Sequence, residues 1–145
     1  MDFIAKNFNE LSINELYEIL RLRSEVFVVE QDCVYQDIDN KDQQALHIIG
    51  IENGKIVAYA RCFNKGIYFK EAAIGRVIIN KSIRGRGCGN QLLNASIQSI
   101  NSIFNTTEIR LSAQQHLTKF YESHGFLVTG EGYLEDGIPH IDMIK

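Results

Sequence analysis

Arg84-Gly85-Arg86-Gly87-Cys88-Gly89 packs three glycines into five residues and follows an apolar stretch, Ala72 to Ile79, with the character of a strand. Beyond it, Leu93, Ile97, Ile100 and Phe104 recur at helical spacing. A strand, a glycine turn and a helix make the first half of a crossover. The return strand, read at Glu108 to Ala113, must then lie parallel to the first through a right-handed connection. The same turn constrains a ligand. Glycines permit positive φ and let a ligand approach the backbone closely. The first N–H groups of a helix have no partners, and the helix dipole favours negative charge there. A diphosphate suits such a turn, with Arg84 and Arg86 adding charge-assisted contacts.

Two other phosphate motifs fail. Gly75 through Ser82 nearly spells a P-loop, but Asn80 replaces the second glycine and Val77-Ile78-Ile79 belongs in a strand. A dinucleotide fingerprint requires a last glycine where Asn90 stands. A phosphotransferase reading therefore fails with the P-loop.

The rest of the chain reads as one domain, residues 1 to 145, without repeats or linkers. An edge strand is expected over residues 2 to 8. Ser12-Ile13-Asn14-Glu15 is a capping box that opens a helix from 13 to about 28, with Leu16, Ile19, Leu22 and Val26 on one side. Residues 30 to 45 form a polar loop. Asn53-Gly54 joins two strands, His47 to Ile51 and Lys55 to Phe63, as a hairpin. Leu117 to His124 reads as a short helix stopped by Gly125, and Phe126 to Gly130 and Ile138 to Ile144 as closing strands. The order is β-α-β-β-β-α-β-α-β-β, an α/β (mixed α+β) chain with a mixed sheet flanked by helices.

Charge and cysteine usage narrow the function. Fifteen basic and 18 acidic residues give −3, which argues against nucleic acid as a partner. No apolar run approaches a membrane span and the N-terminus lacks the features of a secretion signal, so a cytoplasmic protein is expected. Three cysteines without C-x-x-C spacing suit free thiols and no metal. Residues 76 to 89 hold Arg76, Lys81, Arg84 and Arg86 with no acid, a stretch suited to an anion. Residues 25 to 42 hold Glu25, Glu30, Asp32, Asp37, Asp39 and Asp42 against Lys41 alone, a stretch suited to a cation.

The pattern Arg84-x-x-Gly87-x-Gly89 at a strand-to-helix turn resembles the acyl-coenzyme-A loop of the GNAT family of N-acetyltransferases. Phe120-Tyr121-Glu122-Ser123-His124-Gly125-Phe126 is similar to that family's second signature, Y-x-x-x-G-F. Residues 27 to 33, 74 to 77, 111 to 114 and 135 to 140 resemble its ElaA-like subgroup. The resemblance implies a GNAT fold with a six- to seven-stranded sheet and a splayed parallel pair. Acetyl-CoA would be the acyl donor, with no metal. Its pantetheine arm would lie against Val77 and Ile79, and its diphosphate on Arg84, Gly85, Arg86, Gly87, Cys88, Gly89 and Asn90. A backbone N–H at Val77 or Ile78 would serve the oxyanion, and Tyr121 would be the general acid.

Glu30, His47, Glu135, Asp136 and His140 are candidates for the base; Glu30 ranks first, with His140 set after a Gly137-Ile138-Pro139 turn. All three thiols read as small apolar filler. The expected activity is acetyl transfer to a primary amine by direct attack, the alternative being a catalytically silent acyl-CoA sensor or interaction module. The acid-rich residues 25 to 42 favour a cationic acceptor, either a small molecule or a protein amine, for a monomer or a homodimer.

Overall fold

The computed structural model describes residues 1–145. Its sheet is ordered β1-β2-β3-β4-β5-β7-β6. The strands are β1 (Asp2–Asn7), β2 (Leu46–Glu52), β3 (Lys55–Phe63), β4 (Ala72–Ile79), β5 (Ile109–Gln114), β6 (Leu127–Glu135) and β7 (Ile138–Ile144). Three α-helices accompany them: α1 (Ile13–Arg23), α2 (Cys88–Ile103) and α3 (Thr118–Glu122). All neighbouring strands are antiparallel except β4 and β5, the parallel pair that the crossover through α2 demands.

Local chemistry accounts for several boundaries. Ser12 Oγ accepts from the Glu15 N–H at 3.0 Å while Glu15 Oε1 accepts from the Ser12 N–H at 2.8 Å, so the capping box forms in full. Asn53 and Gly54 take φ of +52° and +74°, the paired positive values of a type I′ hairpin. Asp136 and Gly137 repeat that geometry at +50° and +78° between β6 and β7. The turn before His140 is thus Asp136-Gly137, and Ile138 and Pro139 already belong to β7; this corrects the turn expected one residue later.

The first helix also differs from expectation. Its α-helical hydrogen bonding ends at Arg23 and continues as wider π turns over Ser24–Glu30. Ile19, Leu22 and Val26 still share one face. They pack with Ile49, Ile56, Tyr59 and Ile78 on one side of the sheet. On the other side, Leu92, Leu93 and Ile100 of α2 pack on Leu46, Ile48, Ile74, Ile109 and Leu111, with Phe126 and Met143 completing the core. Burial of large aliphatic side chains on both faces supplies the main drive to fold, about 1.5–3 kcal/mol for each fully buried one.

The polar loop after the π turns is tied down by ions. Arg23 is fully buried; its Nε donates to Asp37 Oδ2 at 3.0 Å and its Nη1 to Asp42 Oδ1 at 2.6 Å. Arg61 of β3 donates to Asp39 at 2.8 Å and to Asp42 at 2.9 Å. Arg76 of β4 donates to Asp37 Oδ1 at 2.7 Å. Three guanidinium groups and three carboxylates form one cluster of balanced charge. Of the six acids read as suited to a cation, Asp37, Asp39 and Asp42 are thus turned to the arginines, while Glu25, Glu30 and Asp32 stay exposed.

Candidate active site

β4 and β5 pair only at Ala72 with Ile109 and Ala73 with Arg110; past Ala73 they diverge. β5 turns to β7 for its remaining partners, which leaves β4 an open inner edge. β4 is also bulged. Gly75 stands opposite Arg61 and Ile78 opposite Tyr59, so Arg76 and Val77 together face Ala60. One extra residue on one strand interrupts the ladder there. Arg76 takes φ of +49° at this bulge, a strained value for a side chain with a Cβ. The Asp37 ion pair, with the rings of Phe27 and Tyr35 at 5.9 and 5.6 Å, fixes that side chain.

At the far end of β4 the glycine turn leads into α2. Gly85 and Gly87 have φ of +83° and +76°, and Gly87 is the N-cap of the helix. Gly89 has another role. It lies within the first turn of α2, and a Cβ there would meet the Phe120 ring of α3 at 3.5 Å. Residues 84 to 90 donate no peptide N–H to a main-chain acceptor, so the turn offers a run of free donors at the positive end of a helix. Its side chains are engaged elsewhere. Arg84 meets Glu30 at 2.6 Å and donates Nε to Ile79 O at 2.9 Å. Arg86 meets Glu52 at 2.7 Å, and Asn90 Oδ1 meets His124 Nε2 at 2.8 Å. Cys88 packs with Val57 and Ile83. Of the basic residues in the stretch read as suited to an anion, Arg76 turns to the buried acids, Arg84 and Arg86 are each balanced by a glutamate, and Lys81 has no ion-pair partner.

Between the diverging strands lies a cavity of about 260 Å³. Val77 lines it, whereas Ile78 is 1% exposed in the core on the α1 side. Ile79 packs against the Val57, Ile83 and Cys88 cluster. Tyr121 of α3 also lines the cavity and is 6% exposed. Phe120 and Phe126 hold its ring in edge-on contacts at 5.1 and 6.1 Å. Burial alone pushes its phenol up to about 12, above the ordinary value of ~10. The group stays protonated across the physiological range and acts as an O–H donor.

On the opposite side, the β6–β7 hairpin brings His140 into the cavity wall with Glu135 and Asp136. His140 Nδ1 lies 2.7 Å from Ile138 O. A carbonyl only accepts, so Nδ1 carries a proton, and in the neutral ring Nε2 holds the basic lone pair. That Nε2 lies 3.3 Å from Glu135 Oε2. Tyr133 stacks on the imidazole at 6.2 Å and bonds Ser112 and Asp142.

The remaining candidates lie apart. Glu30 does not line the cavity; both its oxygens face Arg84. His47 is fully buried between Tyr59 Oη at 2.7 Å and Asp42 O at 2.9 Å, and burial lowers its pKa. Cys62 and Cys88 are buried, as filler should be. Cys33 departs from that expectation: it is half-buried in the cavity wall, with Sγ donating to Asp136 O at 3.5 Å. Sequence reasoning also missed Arg61, Phe27, Tyr35, Phe63 and Tyr68, which line the same space. They come from the π turns, the following loop, β3 and the β3–β4 connection, and nothing in their local spacing joins them.

Comparison with known proteins agrees with this architecture. The family described as "Acetyltransferase (GNAT) domain" matches residues 6–145. The Protein ElaA of Escherichia coli K12 is 43% identical over 139 residues, covering 94% of this chain and 91% of that protein. Its crystal structure superposes with a TM-score of 0.92 at 40% identity, covering 100% of this chain and 99% of that one. The crystal structure of an acyl-CoA N-acyltransferase from Pseudomonas aeruginosa gives 0.94 at 38% identity, with coverage of 100% and 99%. An aminoglycoside 6'-N-acetyltransferase, solved with coenzyme A, shares the fold at 15% identity, a TM-score of 0.70 and coverage of 98% and 96%. With a sheet that splays at Ala73, a glycine turn that opens α2, and relatives that match nearly its whole length, the chain belongs to the GNAT family of N-acetyltransferases.

Proposed function

We propose that the protein transfers the acetyl group of acetyl-CoA to a primary amine by direct attack. The observation that carries this reading is the wedge between β4 and β5, which joins the free peptide donors of residues 84 to 90 to a cavity containing Tyr121 and His140. The diphosphate rests on the main chain of Gly85 to Asn90, with Arg84 and Arg86 alongside. The pantetheine arm continues along the open edge of β4 at Val77 and Ile79, as an added strand would. That path aims the thioester at the bulge.

There the Val77 N–H, at the interruption of the β3–β4 ladder, is the donor for the oxyanion. Ile78 is set aside, because its partner in register is Tyr59. His140, its Nδ1–H given to the Ile138 carbonyl and its Nε2 beside the Glu135 carboxylate, takes the proton from the amine. Glu30, held by Arg84, is left with a supporting role in the turn. The amine nitrogen forms a bond to the acetyl carbon, the carbon–sulfur bond breaks, and the thiolate leaves with a hydrogen bond from Tyr121. Holding both reactants in line supplies much of the rate.

Two measurements test the reading together. Coenzyme A at 100 times its dissociation constant should stabilise the fold by about 2.7 kcal/mol. Free thiol should then appear from acetyl-CoA only when an amine is added. Absence of a thermal shift, or thiol release indifferent to amines across a broad panel, refutes it.

A further inference from the structure

The cavity has two ends of opposite hydrogen-bonding character. Arg61 lines one end and is 2% exposed. Its Nη groups are spent on Asp39 and Asp42, but its Nε–H is a buried side-chain donor with no partner, the one such atom in the molecule. Arg76 lines the same end and is 19% exposed. It gives Nε and Nη2 to Asp37 and Asp39, and its Nη1 makes no bond to the protein. The three aspartates lie outside the lining. They neutralise the arginines from behind, so this wall shows the cavity only donors, because a guanidinium has no acceptor. The Arg61 Nε–H lies beneath the cavity surface, so the donor this wall offers is Arg76 Nη1, and an oxygen-bearing ligand accepts from it. An ammonium group does not.

The other end accepts. His140 Nε2 faces Glu135 Oε2 at 3.3 Å, and the carboxylates of Glu135 and Asp136 belong to the same wall on the hairpin. Between the ends, Phe63 and Tyr68 stack at 5.3 Å and Phe27 and Tyr35 flank Arg76. The geometry points to an acceptor that carries its own carboxylate: an amino acid whose carboxylate meets Arg76 Nη1, with the Arg61 guanidinium behind it, and whose amine faces His140 and Glu135. This rests on reading the cavity as the acceptor site of acetyl transfer. It reverses the cationic acceptor that the acid-rich stretch suggests, since Asp37, Asp39 and Asp42 of that stretch are consumed by the arginines.

The test uses pairs of amines that differ only in the carboxylate: phenylalanine against phenethylamine, and lysine against cadaverine. Each is titrated calorimetrically into protein saturated with coenzyme A. The carboxylate-bearing member should bind ~10-fold tighter or better in at least one pair, the scale of hydrogen bonds to a charged group. Arg76→Gln should shrink that ratio toward one. Equal affinities, tighter binding of the decarboxylated members, or no binding by any of the four overturns the inference. The wild-type comparison stands whether or not Arg76→Gln folds. A clear carboxylate preference without thiol release from acetyl-CoA would overturn the transfer reading and leave this site assignment intact.

Discussion

Asp42→Ala probes what fixes the 31–45 loop, and with it the bulge of β4, to the sheet. Asp42 Oδ1 accepts from Arg23 at 2.6 Å and from Arg61 at 2.9 Å, and neither guanidinium is more than 2% exposed. Removing it leaves three guanidinium groups, two of them buried, facing two carboxylates. Breaking a buried pair from one side costs about 3–5 kcal/mol, mainly through the charge left behind. Urea unfolding at pH 7 should show that loss with an unchanged m-value, and thermal unfolding a fall of roughly 10 °C or more. Glu25→Ala is the control. Its partner Arg21 lies 3.4 Å away at an exposed site, worth about 0.5 kcal/mol or less.

Acid titration gives a second reading of the same cluster. The Arg61 hydrogen bonds outweigh burial and hold Asp39 at about 2; Arg23 and Arg61 likewise hold Asp42 below the usual carboxylate range. Folded values below the unfolded ones mean stability present above about pH 4–5 and lost as pH falls toward 2. Asp39 alone contributes about 1–2 kcal/mol of that loss after allowance for its solvent-facing edge. Asp42→Ala should flatten the slope. A loss below about 1 kcal/mol at pH 7, with the acid slope intact, would refute the reasoning.

Tyr121→Phe should leave coenzyme A binding unchanged and lower kcat by ~10²-fold, the scale of general acid catalysis. With its phenol near 12, the wild type should show no alkaline fall in rate below about pH 10 that this substitution removes. His140→Gln should lower kcat by ~10²-fold, whereas Glu30→Gln should leave kcat within a few fold of the wild type; the opposite pattern restores Glu30 as the base. Gly87→Ala, at a φ of +76°, should cost about 1 kcal/mol of stability and weaken coenzyme A binding. Gly89→Ala, whose Cβ would make an ordinary contact with Phe120, should be milder on the fold.

Features legible in the sequence are those written within a few residues. Ser12 and Glu15 form their capping box across three positions, Asn53-Gly54 dictates its own hairpin, and the glycines of 85 to 89 announce a turn at a helix start. The parallel pair follows from that turn, because a crossover allows little else. The charge cluster is different. Arg23 meets Asp37 across 14 positions, Arg61 meets Asp39 across 22 and Arg76 meets Asp37 across 39. Read along the chain, the same acids look like a solvated patch and Arg76 looks like part of a phosphate site. The bulge and its +49° φ at Arg76 belong to tertiary packing, since nothing about arginine favours that conformation. So does the assignment of Glu30 to Arg84, which depends on where the π turns end.

A crystal structure with coenzyme A bound measures the central claim directly. The account predicts the pyrophosphate on the peptide N–H groups between Gly85 and Asn90, the pantetheine arm along the β4 edge at Val77 and Ile79, and the sulfur within hydrogen-bonding reach of Tyr121 Oη. Coenzyme A seated away from the glycine turn, or with its sulfur directed out of the wedge, would contradict it.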